Sequence, residues 1–275
     1  MQEIDSTFAR MEIVGYIASI LIGLSLGLTG GGGSILTVPV LVYLFNVEPV
    51  LATGYSLFIV GATSFVGGIK SYMYKQVDFR AVSLFGIPSI FSIFIARHFV
   101  LPIIPETVFH VSGYAVQRGS FLMIVFALLM LVASFFMVSP KKEIETDEEE
   151  VQQYKSLSLL IPGLLVGFIT GLLGAGGGFM IIPALVLILN LPMKKAIGTS
   201  LQIIAINSIF GFLFSIKQFS FNWNLLLLTT ALAIVGVIAG TYFSKKIDNR
   251  LLKKIFAGFV IVMAVFILVK ELFFS

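Results

Sequence analysis

The sequence predicts an all-α, polytopic integral membrane protein, and three observations carry that prediction. Of 275 residues, 58% are hydrophobic and only 12% charged, too few polar groups to cover a soluble globule. Apolar blocks at 13–28, 35–47, 52–69, 81–101, 119–138, 157–173, 179–191, 196–216, 223–243 and 255–269 fill most of the chain, several reaching the roughly 20 residues that cross a hydrocarbon core. Each block is continuously apolar rather than alternating, which selects helices over a barrel.

The first block follows a mixed-charge stretch (Glu3, Asp5, Arg10, Glu12) and no small-residue cleavage site closes it, so it reads as a retained span. The chain has no cysteine, which excludes disulfides, thiolate chemistry and Cys-ligated metals. Its net charge of +4 sits in short loops at span ends, a pattern that reports membrane orientation and implies no nucleic-acid partner. The polar run KKEIETDEEEVQQYK, Lys141 to Lys155, separates two apolar halves and reads as a flexible connector. The expected organisation is a membrane repeat at 13–139, a charged cytoplasmic linker at 140–156 and a second membrane repeat at 157–275.

The halves are copies. An offset of 144 aligns residues 27–79 with 171–223 without a gap, placing Gly27, Gly30, Gly32 and Gly33 on Gly171, Gly174, Gly176 and Gly177. Pro39 falls on Pro183, Asn46 on Asn190, and Ala52, Gly54, Ser56 and Leu57 on Ala196, Gly198, Ser200 and Leu201, so the chain is a duplicated unit.

The glycine segments decide how the copies lie. As one helix, residues 13–47 would be about 52 Å long, too much for one crossing; the two parts, about 24 Å and 20 Å, are each short for one. Two short arms meeting at the glycines, as a re-entrant hairpin or as two thin crossings, fit both lengths. If the arms return the chain to its starting side, Arg10, Arg97, Arg118, Lys217 and Lys270 lie on one face and the other thirteen basic residues on the opposite one. A single broken crossing would split them nine and nine. The uneven split obeys the positive-inside rule. It implies inverted-topology repeats, each with a glycine-broken helix pair plus three longer spans, and both termini outside.

The glycine runs are too dense for packing alone. Spacings such as Gly23 and Gly27, or Gly167 and Gly171, suit close helix contact, whereas each additional glycine weakens a helix by about 1 kcal/mol. The runs Gly30 to Gly33 and Gly174 to Gly178 are therefore expected to be binding loops whose free N–H groups, at helix N-termini, favour an anion. Pro39 and Pro183 suit the first turn of helices running to Asn46 and Asn190, which would leave Gly30 to Val38 and Gly174 to Ile182 partly extended. No Gly-Lys-Ser/Thr follows either run and no strand precedes it, so nucleotide binding is not indicated.

Candidate ligand contacts are Gly31, Gly32, Gly33, Ser34, Thr53 and Ser56 in the first copy and Gly176, Gly177, Gly178, Thr199, Ser200, Gln202 and Asn207 in the second. A serine or threonine in a membrane helix often just bonds to its own backbone; the amides Gln202 and Asn207 need partners when buried and are expected to line the cavity. No Asp or Glu lies within an apolar block, so no carboxylate relay is apparent, and His98 and His110 read as interfacial. Arg97 has two readings, attracting anions to the outer mouth or snorkelling to the head groups. The 106–118 insertion, missing from the second copy, is left open between a lid, an interfacial helix and a loop. Neither a nucleophile with its base nor a metal set appears in the blocks, so an enzyme is not expected, nor any metal or cofactor.

The segments GLTGGGGSILTVPVLVYLF and GLLGAGGGFMIIPALVLILNLPMKKAIGTSLQIIAINSIFGF resemble those of the TauE/SafE family of membrane permeases, the sulfite exporters, and the similarity extends over nearly the whole chain. The resemblance implies movement of sulfite, sulfonates or related small sulfur-containing anions across a bacterial inner membrane, usually outward. Beside it stand a passive anion channel and a carrier of another small oxyanion. A site of amides and hydroxyls, with no fixed lysine or arginine, is the expected design, since an empty neutral site costs little to desolvate. Tyr55 and Phe58, in place of Thr199 and Gln202, make the two half-sites unequal. The oligomeric state is not readable.

Overall fold

A computed structural model of the chain describes residues 2–111, 114–138, 156–174 and 177–273. The linker at 139–155, and with it the proposed connector, lies outside the described residues, as do Ala175 and Gly176.

Eleven helices and one hairpin make up the described chain. The first half contains α1 (Gln2–Thr29), α2 (Gly32–Tyr43), α3 (Pro49–Met73), α4 (Phe79–Ile95), a π-helical turn (Ala96–Val100), α5 (Leu101–Ile103), β1 (Thr107–Val111), β2 (Tyr114–Gln117) and α6 (Arg118–Val138). The second contains α7 (Ser156–Leu173), α8 (Gly178–Ile188), α9 (Met193–Ser215), α10 (Trp223–Ser244) and α11 (Asn249–Phe273). Among the described residues six helical segments are long and apolar enough to cross a membrane, ending in α11 at Asn249–Leu272. The chain is a multi-pass, all-α membrane protein. Its many exposed large apolar side chains, Phe91, Leu128 and Phe135 among them, suit a lipid surroundings rather than water.

The 106–118 insertion is not the interfacial helix among its expected forms. It is an antiparallel hairpin closed where the Arg118 amide donates to the Glu106 carbonyl at 2.8 Å.

The prolines also correct an expectation. Helices α2 and α8 begin at Gly32 and Gly178, so Pro39 and Pro183 lie inside them, not in their first turns. The helices end at Tyr43 and Ile188, short of Asn46 and Asn190, which both take a left-handed φ of 51°. An extended run at membrane depth would leave several amides and carbonyls unpaired, whereas a proline inside a helix forfeits only one bond. The helix is the cheaper solution.

Small residues fix the pairing of helices, and they do so twice. On α1, Gly23 faces the Ala233 carbonyl so closely that a Cβ there would lie 1.8 Å from its oxygen; on α7, Gly167 faces the Ser89 carbonyl at 2.4 Å. These contacts are related by the 144-residue offset, as are Gly27 with Val237 and Gly171 with Ile93. Thus α1 of the first half packs on α10 of the second, while α7 of the second packs on α4 of the first.

Contact order gives the directions. Phe85, Ser89 and Ile93 meet Gly163, Gly167 and Gly171 in ascending order, so α4 and α7 run parallel; α1 and α10 do the same, with Ile20 at Gly236 and Leu28 at Gly240. By contrast α3 and α9 are antiparallel, Gly61 lying at Ser208 and Gly67 at Leu201, while Gly211 lies at Leu57. Within the first half, Gly33 packs on Leu26 and Gly15 on Phe45, so α1 and α2 form a hairpin.

Replacing Gly23 or Gly167 with leucine is expected to lower unfolding stability by at least ~2 kcal/mol, because backbone lies where the side chain must go. Gly86 and Gly258 meet nothing within 4 Å of a built Cβ, and alanine there is expected to be neutral or stabilising by up to ~1 kcal/mol. Thermal unfolding in detergent, read by intrinsic fluorescence, separates the two groups.

Candidate functional site

The two glycine breaks come together. A Cβ on Gly31 would lie 2.5 Å from the Gly178 carbonyl carbon, and one on Gly178 would lie 2.6 Å from the Gly31 Cα, so backbone packs on backbone between the halves. Gly30 and Gly174 each close the preceding helix in the left-handed region, at φ 71° and 68°, their amides donating to the Leu26 and Thr170 carbonyls. Glycine is needed there because a side chain is strained at positive φ.

Each break docks on the long helix of the other half. Gly30 lies against Ile197, and its carbonyl accepts from the Ser200 hydroxyl at 3.0 Å; Gly174 lies against Thr53. Ile197 and Thr53 are 144 positions apart, so the docking too is duplicated. Helices α2 and α8 start from these breaks with Gly31 and Gly177 as N-caps and with no side chain capping either start. Each such start carries roughly half a positive charge on its first-turn amides.

The predicted ligand residues divide by what their polar atoms already do. Gly32 opens α2, while Gly33 faces the Ile22 carbonyl of α1 at 2.2 Å from a built Cβ, an interhelical packing position. Ser34 donates to the Gly31 carbonyl at 2.6 Å. Gly177, at φ 72°, lies against the Thr170 hydroxyl. Gly176 is outside the described residues. Thr53 donates to the Val50 carbonyl at 2.7 Å, and Ser56 is buried with no partner for its hydroxyl. Gln202 is half-buried with its amide against Gly68. Asn207 is buried; its Oδ1 accepts from Ser89 at 2.8 Å and its Nδ2 has no partner.

Thr199 belongs to a repeated joint. Its hydroxyl accepts from the amide of Asp78, the residue capping α4, at 3.0 Å; in the other half the Tyr55 hydroxyl accepts from the amide of Asn222, which caps α10. Both pairs obey the same offset, so tyrosine and threonine perform one task with side chains of different length.

Arg97 fits neither of the two readings offered for it. It is fully buried, neither snorkelling nor exposed at a mouth. Its Nη1 donates to Ser215 and its Nη2 to Thr53, each at 3.0 Å, and its Nε has no partner. The π turn that carries it is followed by Pro102, which has no amide to give the Arg97 carbonyl, and Gln218 Nε2 approaches that carbonyl at 3.5 Å. A signal was available in the sequence: Arg97 falls inside the apolar block 81–101, not beyond its end.

The sequence pattern described as "Sulfite exporter TauE/SafE" matches residues 16–267. The chain belongs to the TauE/SafE family. A probable membrane transporter protein of Xylella fastidiosa is 26% identical over 252 residues, covering 90% of this chain and 91% of that one. The probable membrane transporter protein YunE of Bacillus subtilis is 26% identical over 90% of this chain and 89% of its own length. A probable membrane transporter protein of Methanocaldococcus jannaschii is 27% identical over 88% and 86%. No solved structure matches the chain significantly. Membrane transport is therefore the function of this TauE/SafE chain at the level the family defines.

Tyr55→Phe and Thr199→Val each remove the acceptor of one interhalf joint. Each is expected to destabilise the TauE/SafE fold by roughly 1 kcal/mol, and the double variant by about the sum, since the joints lie at different places. Thermal midpoints of the four proteins check the additivity.

Proposed function

We propose that this protein is a secondary transporter for a small sulfur-containing anion, sulfite or an organosulfonate, in the bacterial cytoplasmic membrane, working outward by alternating access between inverted repeats. The observation that carries the reading is the meeting of Gly31 with Gly178, which brings two uncapped helix starts from the two halves to one place. Amides at such starts suit an anion, and discontinuous helices converging between repeats are a recurring transporter design.

Three features support the inverted arrangement. The equivalent helices α3 and α9 run antiparallel, which requires the axis relating the halves to lie across the helices. The α1–α2 hairpin returns the chain to its starting end, where Tyr43 also bonds Glu271 near the C-terminus. Lys70, Lys75, Lys194, Lys245 and Lys246 all flank the opposite end, which by the positive-inside rule is the cytoplasmic one and leaves both termini outside. The sulfur-anion substrate rests on the family description together with the uncapped glycine starts.

Proteoliposomes loaded with unlabelled sulfite should take up labelled sulfite by saturable counterflow. Uptake that rises linearly with concentration and shows no counterflow would favour a passive channel. Gly178→Ala, which drives a methyl into Gly31, is expected to reduce counterflow at least tenfold while the protein still purifies as a folded species.

A further inference from the structure

We infer that Arg97 is the charge partner of the bound anion and forms, with Thr53 and Ser215, a subsite on the terminus-bearing end of the protein that the second half lacks. The inference rests on the anion-transport reading and adds to it a fixed cation, a place and an asymmetry.

The guanidinium is buried without neutralisation. Both of its partners are hydroxyls whose own protons are spent elsewhere, Thr53 on the Val50 carbonyl at 2.7 Å and Ser215 on the Gly211 carbonyl at 2.8 Å. Those hydroxyls orient the guanidinium but bring no negative charge. Among the described residues no carboxylate pairs with it. Glu48, just before α3, instead accepts from the Val50 and Leu51 amides. A buried cation held this way is stabilised only when an anion joins it.

Further unpartnered donors lie on α3 and on α7, which meets Thr53 at Gly174. Arg97 Nε has no acceptor, and neither does the hydroxyl of Ser56, one helical turn beyond Thr53 on the same face of α3. Thr53 packs on Gly174, the break from which α7 gives way to α8, and Thr170, one turn before that break, has a buried hydroxyl with no partner beside Gly177. These groups connect the guanidinium to the uncapped start of α8. A planar guanidinium with neighbouring hydroxyls and amides suits the oxygens of sulfite or of a sulfonate head group.

The second half has the same scaffold without the same chemistry. At the 144-residue offset Arg97 becomes Thr241, whose hydroxyl bonds its own helix at Val237 and Ile238; Thr53 becomes Ile197, and Ser215 corresponds to Ser71. Ser56 shows the opposite difference. Its counterpart Ser200 donates to the Gly30 carbonyl, and Ser56 makes no such bond. The charged subsite is therefore one-sided, on the face away from the lysine-rich loops.

The test is anion-dependent thermal stability of the full chain in detergent, at constant ionic strength with gluconate as background. Sulfite, methanesulfonate, sulfate and chloride are the probes. Wild type should be stabilised saturably by sulfite or methanesulfonate. Arg97→Gln should raise the half-saturating concentration at least tenfold, and Arg97→Lys, which keeps the charge without the fork, should fall between. Should Arg97→Gln not yield folded protein, the Thr53→Val/Ser215→Ala double variant decides. It retains the charge but frees its anchors, and is expected to weaken half-saturation several-fold. Undiminished stabilisation in Arg97→Gln, an unchanged half-saturation in the double variant, or no response of wild type to any probe would overturn the subsite. Counterflow measured in parallel separates the two readings. Anion stabilisation lost with Arg97 in a protein that shows no counterflow supports the subsite and removes the carrier, while full counterflow in Arg97→Gln does the opposite.

Discussion

Hydrocarbon offers no hydrogen-bond partner, so any interruption of a helix inside the bilayer must be covered by protein or water. This chain interrupts two helices and covers each interruption with the other half. Gly30 rests on Ile197 and Ser200 of α9, Gly174 on Thr53 of α3, and the two breaks touch through Gly31 and Gly178. Neither half can bury its own break alone. The interhalf pairings of α1 with α10 and α4 with α7 follow from that requirement, because they hold the broken arms against the long helices that receive them.

The polar side chains fall into two populations. Most hydroxyls bond to a carbonyl one turn earlier in their own helix, as Thr37 does to Gly33 and Thr63 to Ile59, and add little beyond tolerance of the membrane interior. A smaller set has no partner: Ser56 and Ser64 on α3, Thr170 on α7, and Ser208 with the Asn207 amide on α9. Buried polar groups are ordinarily satisfied, and the exceptions here concentrate on the two antiparallel helices α3 and α9 and beside one break. Ser64 and Ser208 are equivalent by the repeat, which places part of this polar seam near the axis relating the halves.

The two ends of the duplicated frame differ. Near the terminus-bearing end Tyr55 and Phe58 pack with Phe212, Phe221 and Trp223, ring centroids 5.0–6.4 Å apart. The equivalent positions on the lysine-rich end hold Thr199 and Gln202. One end therefore combines aromatic bulk with a buried guanidinium, the other small polar groups. A duplicated scaffold with two unlike ends presents different surroundings on its two sides, which a strictly symmetric pair of halves would not.

Helical membrane class, the duplication and the two glycine breaks were legible in the sequence because each depends on composition or spacing along one strand of chain: apolar length, a fixed offset, a run of residues without side chains. The same holds for the packing glycines at 23, 27, 167 and 171. What the sequence misplaced depended on a choice among local alternatives. Pro39 and Pro183 fit a first turn by propensity, but the membrane's demand for paired backbone made them interior residues. Only the tertiary structure decided which hydroxyls are already occupied, setting Thr199 at the Asp78 amide and leaving Ser56 unpartnered. It also decided that Arg97 turns inward, since a long side chain near the end of a span reaches lipid head groups or protein interior equally well. The choice falls to the neighbours, and here Thr53 and Ser215, 44 residues before it and 118 after it, supply the acceptors.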